Sequence, residues 1–195
     1  EGIKFGDELE YTATATYADG TTKDETTSEN LSNTFDETLA EDQTVVFTYF
    51  EEYEGLDKEE FTVTRTVRVA DYPTEMVITS YPNKLVYKYG EELDLTGLEI
   101  DIKYASGKTK DYELPEGNGY NPNQIGIQKI EYLYGEVFSW LDESFSFSAS
   151  FNVEVINTVT ELDVTIDSEG FKYGEDMTYI ATAIYADGST QDVTA

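Results

Sequence analysis

Carboxylates are the commonest groups here that could do chemistry, and they cluster: FEEYEGLDKEE from Phe50, YGEELD from Tyr89 and YADGTTKDET from Tyr17. Calcium needs about six to eight oxygens converging on one point, mostly from carboxylates and backbone carbonyls. Asp19 and Asp24, around the turn in the Tyr17 cluster, could supply two of them. No EF-hand loop of about twelve residues accompanies them. Calcium is the one cofactor left open; a solvated acidic face is the plainer reading, and no other cofactor is expected. A pair of carboxylates held across a cleft could hydrolyse a glycoside. The chain contains neither His nor Cys. That removes Ser-His-Asp and Cys-His nucleophiles, thiolate metal sites, the commonest zinc ligand and every disulfide.

Aromatic side chains are the second candidate chemistry. The stretch GEVFSWLDES, from Gly135 to Ser144, sets Phe138 and the only Trp, Trp140, where the chain is expected to reverse direction. Exposed aromatic faces beside acids can stack on sugar rings or anchor a protein partner, so Phe138 and Trp140 are the candidate ligand contacts, for a glycan or a host or matrix protein. The alternative is a Trp that folds back onto the edge of its own domain. Lysines recur at Lys4, Lys88 and Lys172, each 84 residues apart. Such lysines could enter Lys-Asn or Lys-Asp isopeptide bonds, but each starts a turn and none sits mid-strand, so a structural role is expected.

Charge excludes whole classes of partner. Asp and Glu total 41 against 12 Lys and Arg, for a net charge of -29. A surface that acidic repels phosphate backbones and anionic lipids, so neither nucleic acid nor a membrane surface is an expected partner. No apolar run approaches the roughly 20 residues of a membrane span, and no membrane insertion is expected.

The elements that would position these groups read as strands. Tyr11, Ala13, Ala15 and Tyr17 alternate with Thr12, Thr14 and Thr16, a period of two with one face for a core and one for water. Leu98, Ile100, Ile102 and Tyr104 do the same, and Phe145, Phe147, Ala149, Phe151, Val153 and Val155 form the strictest run. YADG, YASG and YADG after these strands are hairpin turns. No stretch carries a helical stripe, and LPEGNGYNPNQIG from Leu114 is a loop.

These elements repeat. EGIKFGDELEYTATATYADGTTKDETT at the start overlays EGFKYGEDMTYIATAIYADGSTQDVTA at the end without gaps, 15 of 27 positions being identical. A third copy lies between them, with three more residues before its YASG. A period of this size marks an array of domains. Frequent turns and six or seven short strands per copy fit an immunoglobulin-like sandwich. A repeated sandwich offers no cleft for paired carboxylates, so no enzyme is expected.

With YKYGEELDLTGLEIDIKYASGKTKDY, GIQKIEYLYG and FSASFNVEV lined up, the chain resembles the bacterial immunoglobulin-like domains of group 3. The middle copy carries every piece of that pattern. Copy one lacks the Leu-Thr-Gly piece and has EDQTVVFTY where the pattern has Gly-x-Gln-x-Ile. The resemblance implies an all-β chain of tandem immunoglobulin-like β-sandwiches, antiparallel and Greek-key in type. It also implies an extracellular place, on the bacterial cell surface or secreted, as a stalk, spacer, fibre or adhesive repeat.

The expected organisation is an Ig-like domain lacking its first strand at 1–71, a complete one at 74–157 and the N-terminal part of a third at 158–195. The chain is read as a segment of a longer protein, with its partial domains completed by neighbouring repeats of the same polypeptide or by an adjacent chain in a head-to-tail fibre. The joints ADYPTE and INTVTE are short and free of Gly/Ser flexibility, so successive modules should keep restricted angles.

Overall fold

The computed structural model describes residues 2–166, 170, 172–174 and 176–194. The described residues form no helix and fifteen strands: β1 (Gly2–Lys4), β2 (Thr14–Thr16), β3 (Thr22–Asp24), β4 (Leu31–Asn33), β5 (Gln43–Glu51), β6 (Glu59–Ala70), β7 (Pro73–Ser80), β8 (Val86–Lys88), β9 (Glu99–Tyr104), β10 (Thr109–Asp111), β11 (Gly126–Phe138), β12 (Glu143–Ile156), β13 (Val159–Ile166), β14 (Tyr179–Tyr185) and β15 (Thr190–Asp192). They build sheets of order β1-β6-β5-β4, β2-β3, β10-β9-β7, β11-β12-β8 and β13-β14-β15. The fold is all-β, in several sheets, as immunoglobulin-like sandwiches require.

Period-two alternation decides which residues enter the core. Along β12 every second residue turns inward, with Phe151, Val153 and Val155 all but sealed from solvent. Ile100 and Ile102 do the same along β9, and Leu98 just before it is buried too. Packing groups the chain into two compact units. One holds Glu1–Met76, Ile102–Lys110 and Tyr134–Phe147, the other Val77–Asp101, Asp111–Leu133 and Ser148–Ala195. In the first unit, buried Val45, Val67 and Val69 carry Ile3, Phe5, Leu9, Phe35 and Phe47 against them. In the second, Tyr87, Ile130, Tyr132, Val153 and Val155 are each almost fully enclosed.

Three hairpins share one bonding pattern. In each of the three hairpins the tyrosine N–H donates to a carbonyl four residues on: Tyr17 to Thr21, Tyr104 to Lys108 and Tyr185 to Ser189, at 2.8 to 2.9 Å. The turn then needs a left-handed residue, and Gly20, Gly107 and Gly188 hold φ of 87°, 84° and 83°, which glycine alone adopts without a Cβ penalty. Two strand pairs are parallel. β1 runs beside β6 with Ile3 opposite Val69, and β8 beside β12 with Tyr87 opposite Val155. Each ends in the same way, Phe5 N–H donating to Ala70 O and Tyr89 N–H to Ile156 O. The following acid then caps the turn, Asp7 accepting from the Lys4 amide and Glu91 from the Lys88 amide.

A buried amide organises one loop in each of the first two copies. Gln128 donates to the carbonyls of Asn121 and Gln124 at 2.8 Å each and accepts from the Asn121 amide at 2.9 Å. Gln43 donates to the carbonyls of Asp36 and Leu39 and accepts from the Asp36 amide at 2.9 Å. Copy one thus keeps the glutamine of the Gly-x-Gln-x-Ile pattern although its neighbours differ. Each of these side chains satisfies three backbone groups that water barely reaches.

Acids cap many of the turns. Asp19, Asp24, Asp36, Asp94, Asp187 and Asp192 each accept a hydrogen bond from the backbone N–H of a Thr or Ser two residues on. The hydroxyl of that residue and its amide hold all six carboxyls below the usual carboxylate range.

Two outcomes follow. Replacing Gln128 or Gln43 with Leu leaves backbone groups unpaired and should cost about 1–3 kcal/mol in either copy, read as a lower urea midpoint; an unchanged midpoint would show that the loops hold without the amide. Each capping Asp has a folded pKa below its unfolded value. Its share of stability is therefore full above the unfolded value and is lost as pH falls through the folded one. Self-repulsion from the net charge of -29 relaxes earlier, near the ordinary carboxylate range of about 4 to 5. The melting temperature should therefore rise from pH 7 to about 4.5 and fall below about 3.

Candidate functional site

The residues singled out for ligand contact lie where β11 turns into β12, inside the first compact unit. Leu141 N–H closes the turn on Phe138 O at 2.9 Å, and Asp142 takes a left-handed φ of 57°, a conformation Asp tolerates better than most side chains. The turn aims Trp140 at β1. A Cβ built on Gly2 would stand 2.0 and 2.2 Å from two carbons of the indole, so only glycine fits beneath that ring. Trp140 is still 37% exposed.

Phe138 sits behind it, half-buried. Its ring meets Trp140 edge-on at 6.0 Å and Phe145 edge-on at 6.0 Å, and Phe145 stacks on Tyr72 at 5.2 Å. Such edge-to-face and offset pairs add to plain burial. Lys4 Nζ lies 3.0 Å from Glu143 Oε1, and this carboxylate pushes the lysine pKa up. Phe138, Trp140, Glu143 and Phe145 on the β11–β12 hairpin thus gather around Gly2 and Lys4 of β1 and Tyr72 of the joint. The open side of Trp140 borders a hollow of about 330 Å³ shared with Gly2, Thr66 and Arg68.

The other chemistry-bearing residues are dispersed. Asp19 accepts from both the amide and the hydroxyl of Thr21, and Asp24 from the Thr26 amide. Among the described residues no three acidic side chains converge as a metal site would need. Lys4 and Lys88 head their turns, and Lys172 is exposed. Glu25 is 5% exposed in copy one, at a position filled by Tyr112 and Val193 in the other hairpins, and Lys23 Nζ pairs with it at 2.6 Å. That ion pair holds the Glu25 carboxyl below its ordinary range.

Sequence reasoning placed Trp140 at a reversal but did not find its partners. Gly2 had a signal: the Glu-Gly pair at 1–2 returns at 169–170, where the middle copy has Val86. Lys4 had one too, as a recurring lysine, but nothing nearby marks Glu143 as its counter-ion.

No curated protein matches the chain. Residues 80–155 match the family model of the bacterial Ig-like domain (group 3), a span that opens just before β8 and closes within β12. That match spans 76 of the chain's 195 residues, and it is this stretch that is similar to the bacterial Ig-like domain (group 3).

Proposed function

We propose that the chain is a non-catalytic structural segment, a stalk or spacer, of a bacterial surface or secreted protein. Domains of this group typically occur in such proteins and are generally non-catalytic. The domains proposed are 1–71, 74–157 and 158–195, and the mechanism is mechanical: fixed joints carry spacing from one repeat to the next.

One observation carries this reading, the bonding of each joint to the turn that follows it. Asp71 accepts from the Ser106 amide at 3.0 Å and from the Ser106 hydroxyl at 2.6 Å, while Tyr72 O accepts from the Ala105 amide at 2.9 Å. The next joint repeats the pattern. Asn157 Oδ1 accepts from the Asp187 amide at 3.3 Å, and Thr158 O from the Ala186 amide at 2.9 Å. A joint tied this way loses the freedom that a Gly/Ser linker keeps. The Trp140 hairpin adds a second tie to the first joint.

A second reading rests on the open side of Trp140. Its exposed ring and the hollow beside Arg68 and Thr66 would suit the edge of a sugar or a protein side chain. Calcium would be a supplement to either reading and is not needed by them.

The absence of cysteine lets spin labels be placed freely, for example at Thr22→Cys and Lys108→Cys. The expected distance distribution is narrow, and broadens at least twofold when Asp71→Ala and Trp140→Ala are combined. A broad distribution before those changes would refute a fixed joint. The second reading expects glycan-array binding that disappears in Trp140→Ala while far-UV circular dichroism is unchanged; no binding would remove it.

A further inference from the structure

The loops that Gln43 and Gln128 organise open on the same turn. Asn33 Oδ1 accepts from the Phe35 amide at 2.9 Å, and Asn118 Oδ1 from the Tyr120 amide at 3.1 Å. Each asparagine stands ten residues before its loop glutamine, but the residue after it differs, Thr34 in copy one and Gly119 in the middle copy.

That difference bears on the chemistry of asparagine itself. Its side-chain amide carbon, Cγ, is an electrophile, and the backbone nitrogen of the next residue can attack it to close a succinimide ring. A bulky neighbour, a fixed backbone or a hydrogen-bonded N–H prevents this. Asn33 has all three protections. It ends β4 opposite Phe47, Thr34 is β-branched and stiff, and the Thr34 amide donates to Val46 O at 3.1 Å. Asn118 has none. Gly119 carries no side chain, and its amide bonds to no described residue. Gly117 and Gly119 flank the asparagine with φ of 86° and 78°, and glycine turns between conformations at little cost.

The Tyr120 amide adds a catalytic element. It polarises the Asn118 side-chain carbonyl and is placed to stabilise the oxyanion that forms on Oδ1. Tyr120 is itself held, its hydroxyl donating to Glu91 O at 2.9 Å and its ring 5.5 Å from that of Tyr87. Of the eight asparagines only Asn118 precedes a glycine. Asp19-Gly20 and Asp187-Gly188 have the same following residue, but bonds from Thr21 and Ser189 hold these carboxyls below their usual range, and a carboxylate is a poor electrophile.

We propose that Asn118 is a site of spontaneous modification, closing a succinimide with Gly119 and reopening to aspartate and isoaspartate. The Gly119 nitrogen loses its proton to hydroxide and bonds to Asn118 Cγ. The Cγ–Nδ2 bond breaks, and the side-chain nitrogen takes a proton from water and leaves as ammonia. Water then cleaves the ring. Breaking the bond between the Gly119 nitrogen and Cγ gives aspartate; breaking its bond to the main-chain carbonyl carbon gives isoaspartate, with the backbone routed through Cγ. The net change is ammonia lost, water gained and one more carboxylate in a loop that already carries Glu113 and Glu116. The inference stands apart from the stalk reading, which concerns the joints.

The test ages the 195-residue chain in warm neutral buffer, folded and in urea, and follows the tryptic peptide Asp111–Lys129 by fragment mass spectrometry. Enzymatic isoaspartyl methylation is the second readout. Expected in the folded chain is a steady mass gain at Asn118, NH replaced by O, at least tenfold faster than at Asn33 and with isoaspartate among the products. Unfolding in urea should change the Asn118 rate by no more than about threefold. Asn118→Ser keeps an oxygen for the Tyr120 amide, and the aged variant should run as one species on anion exchange where the unaltered chain splits, with circular dichroism unchanged. No mass gain at Asn118 overturns the proposal. So does an Asn118 rate matched by Asn33, or one seen only in urea, since the fold would then protect the site.

Discussion

In a chain without cysteine, hydrogen bonds and packing alone must hold an early strand against a late one, and two such pairings anchor the sheets. In the middle copy β8 reaches β12 across most of the domain, and β1 reaches β6 in copy one. Both pairings are parallel and non-local, so chain entropy must be spent before the ladder returns anything. What makes the closure hold is enclosure on one side and a turn on the other. Tyr87 and Val155, opposite one another in the middle copy, are each 1% exposed. The Lys-x-Gly-acid turn then leads the chain away, its carboxylate capping the amide that would otherwise be left over.

The loop glutamines extend the same logic. Closing strands against each other forces a loop to cross the open end of the sheets, where backbone groups lose water. A single amide is the smallest group that both donates twice and accepts. Gln43 and Gln128 use all of that capacity on residues four and seven positions earlier. This explains why the glutamine persists while its flanking residues change from Asp42 and Thr44 to Ile127 and Lys129. The constraint is on spacing to the loop and not on the strand that follows.

Which parts were legible in the sequence follows from what each pattern encodes. Alternation reports the buried face of a strand, and Phe145 to Val155 and Leu98 to Ile102 read correctly because nothing else produces a period of two. Tyr-x-[Asp/Ser]-Gly reports a turn because left-handed φ restricts the residue choice. Alternation is the same in parallel and antiparallel neighbours, so the β1–β6 and β8–β12 directions were not encoded there. Gln43 was hidden by matching flanks when the informative quantity was the distance back to Asp36. The reversal around Trp140 could be read from its turn residues, but Gly2 lies far off in sequence, and a long-range contact leaves no local periodicity.

Identical hairpins in one chain carry a hazard as well as a pattern, since an edge that fits its own partner also fits its neighbour's. Acidity is the counterweight. Glu10 on the edge of the first hairpin and Glu161 and Asp163 on the strand beside the third place like charges wherever these edges could meet, and the net charge of -29 acts over the whole surface. The repulsion is screened within about 8 Å at physiological salt, so it slows approach without preventing a well-matched contact. Leu162, Val164 and Ile166 stay more than half exposed on β13 beside its own partner β14, so burial of that row does not tell one edge from another. Charge therefore sets how easily such edges approach, and a sequence that repeats one hairpin closely leans on it to keep them apart.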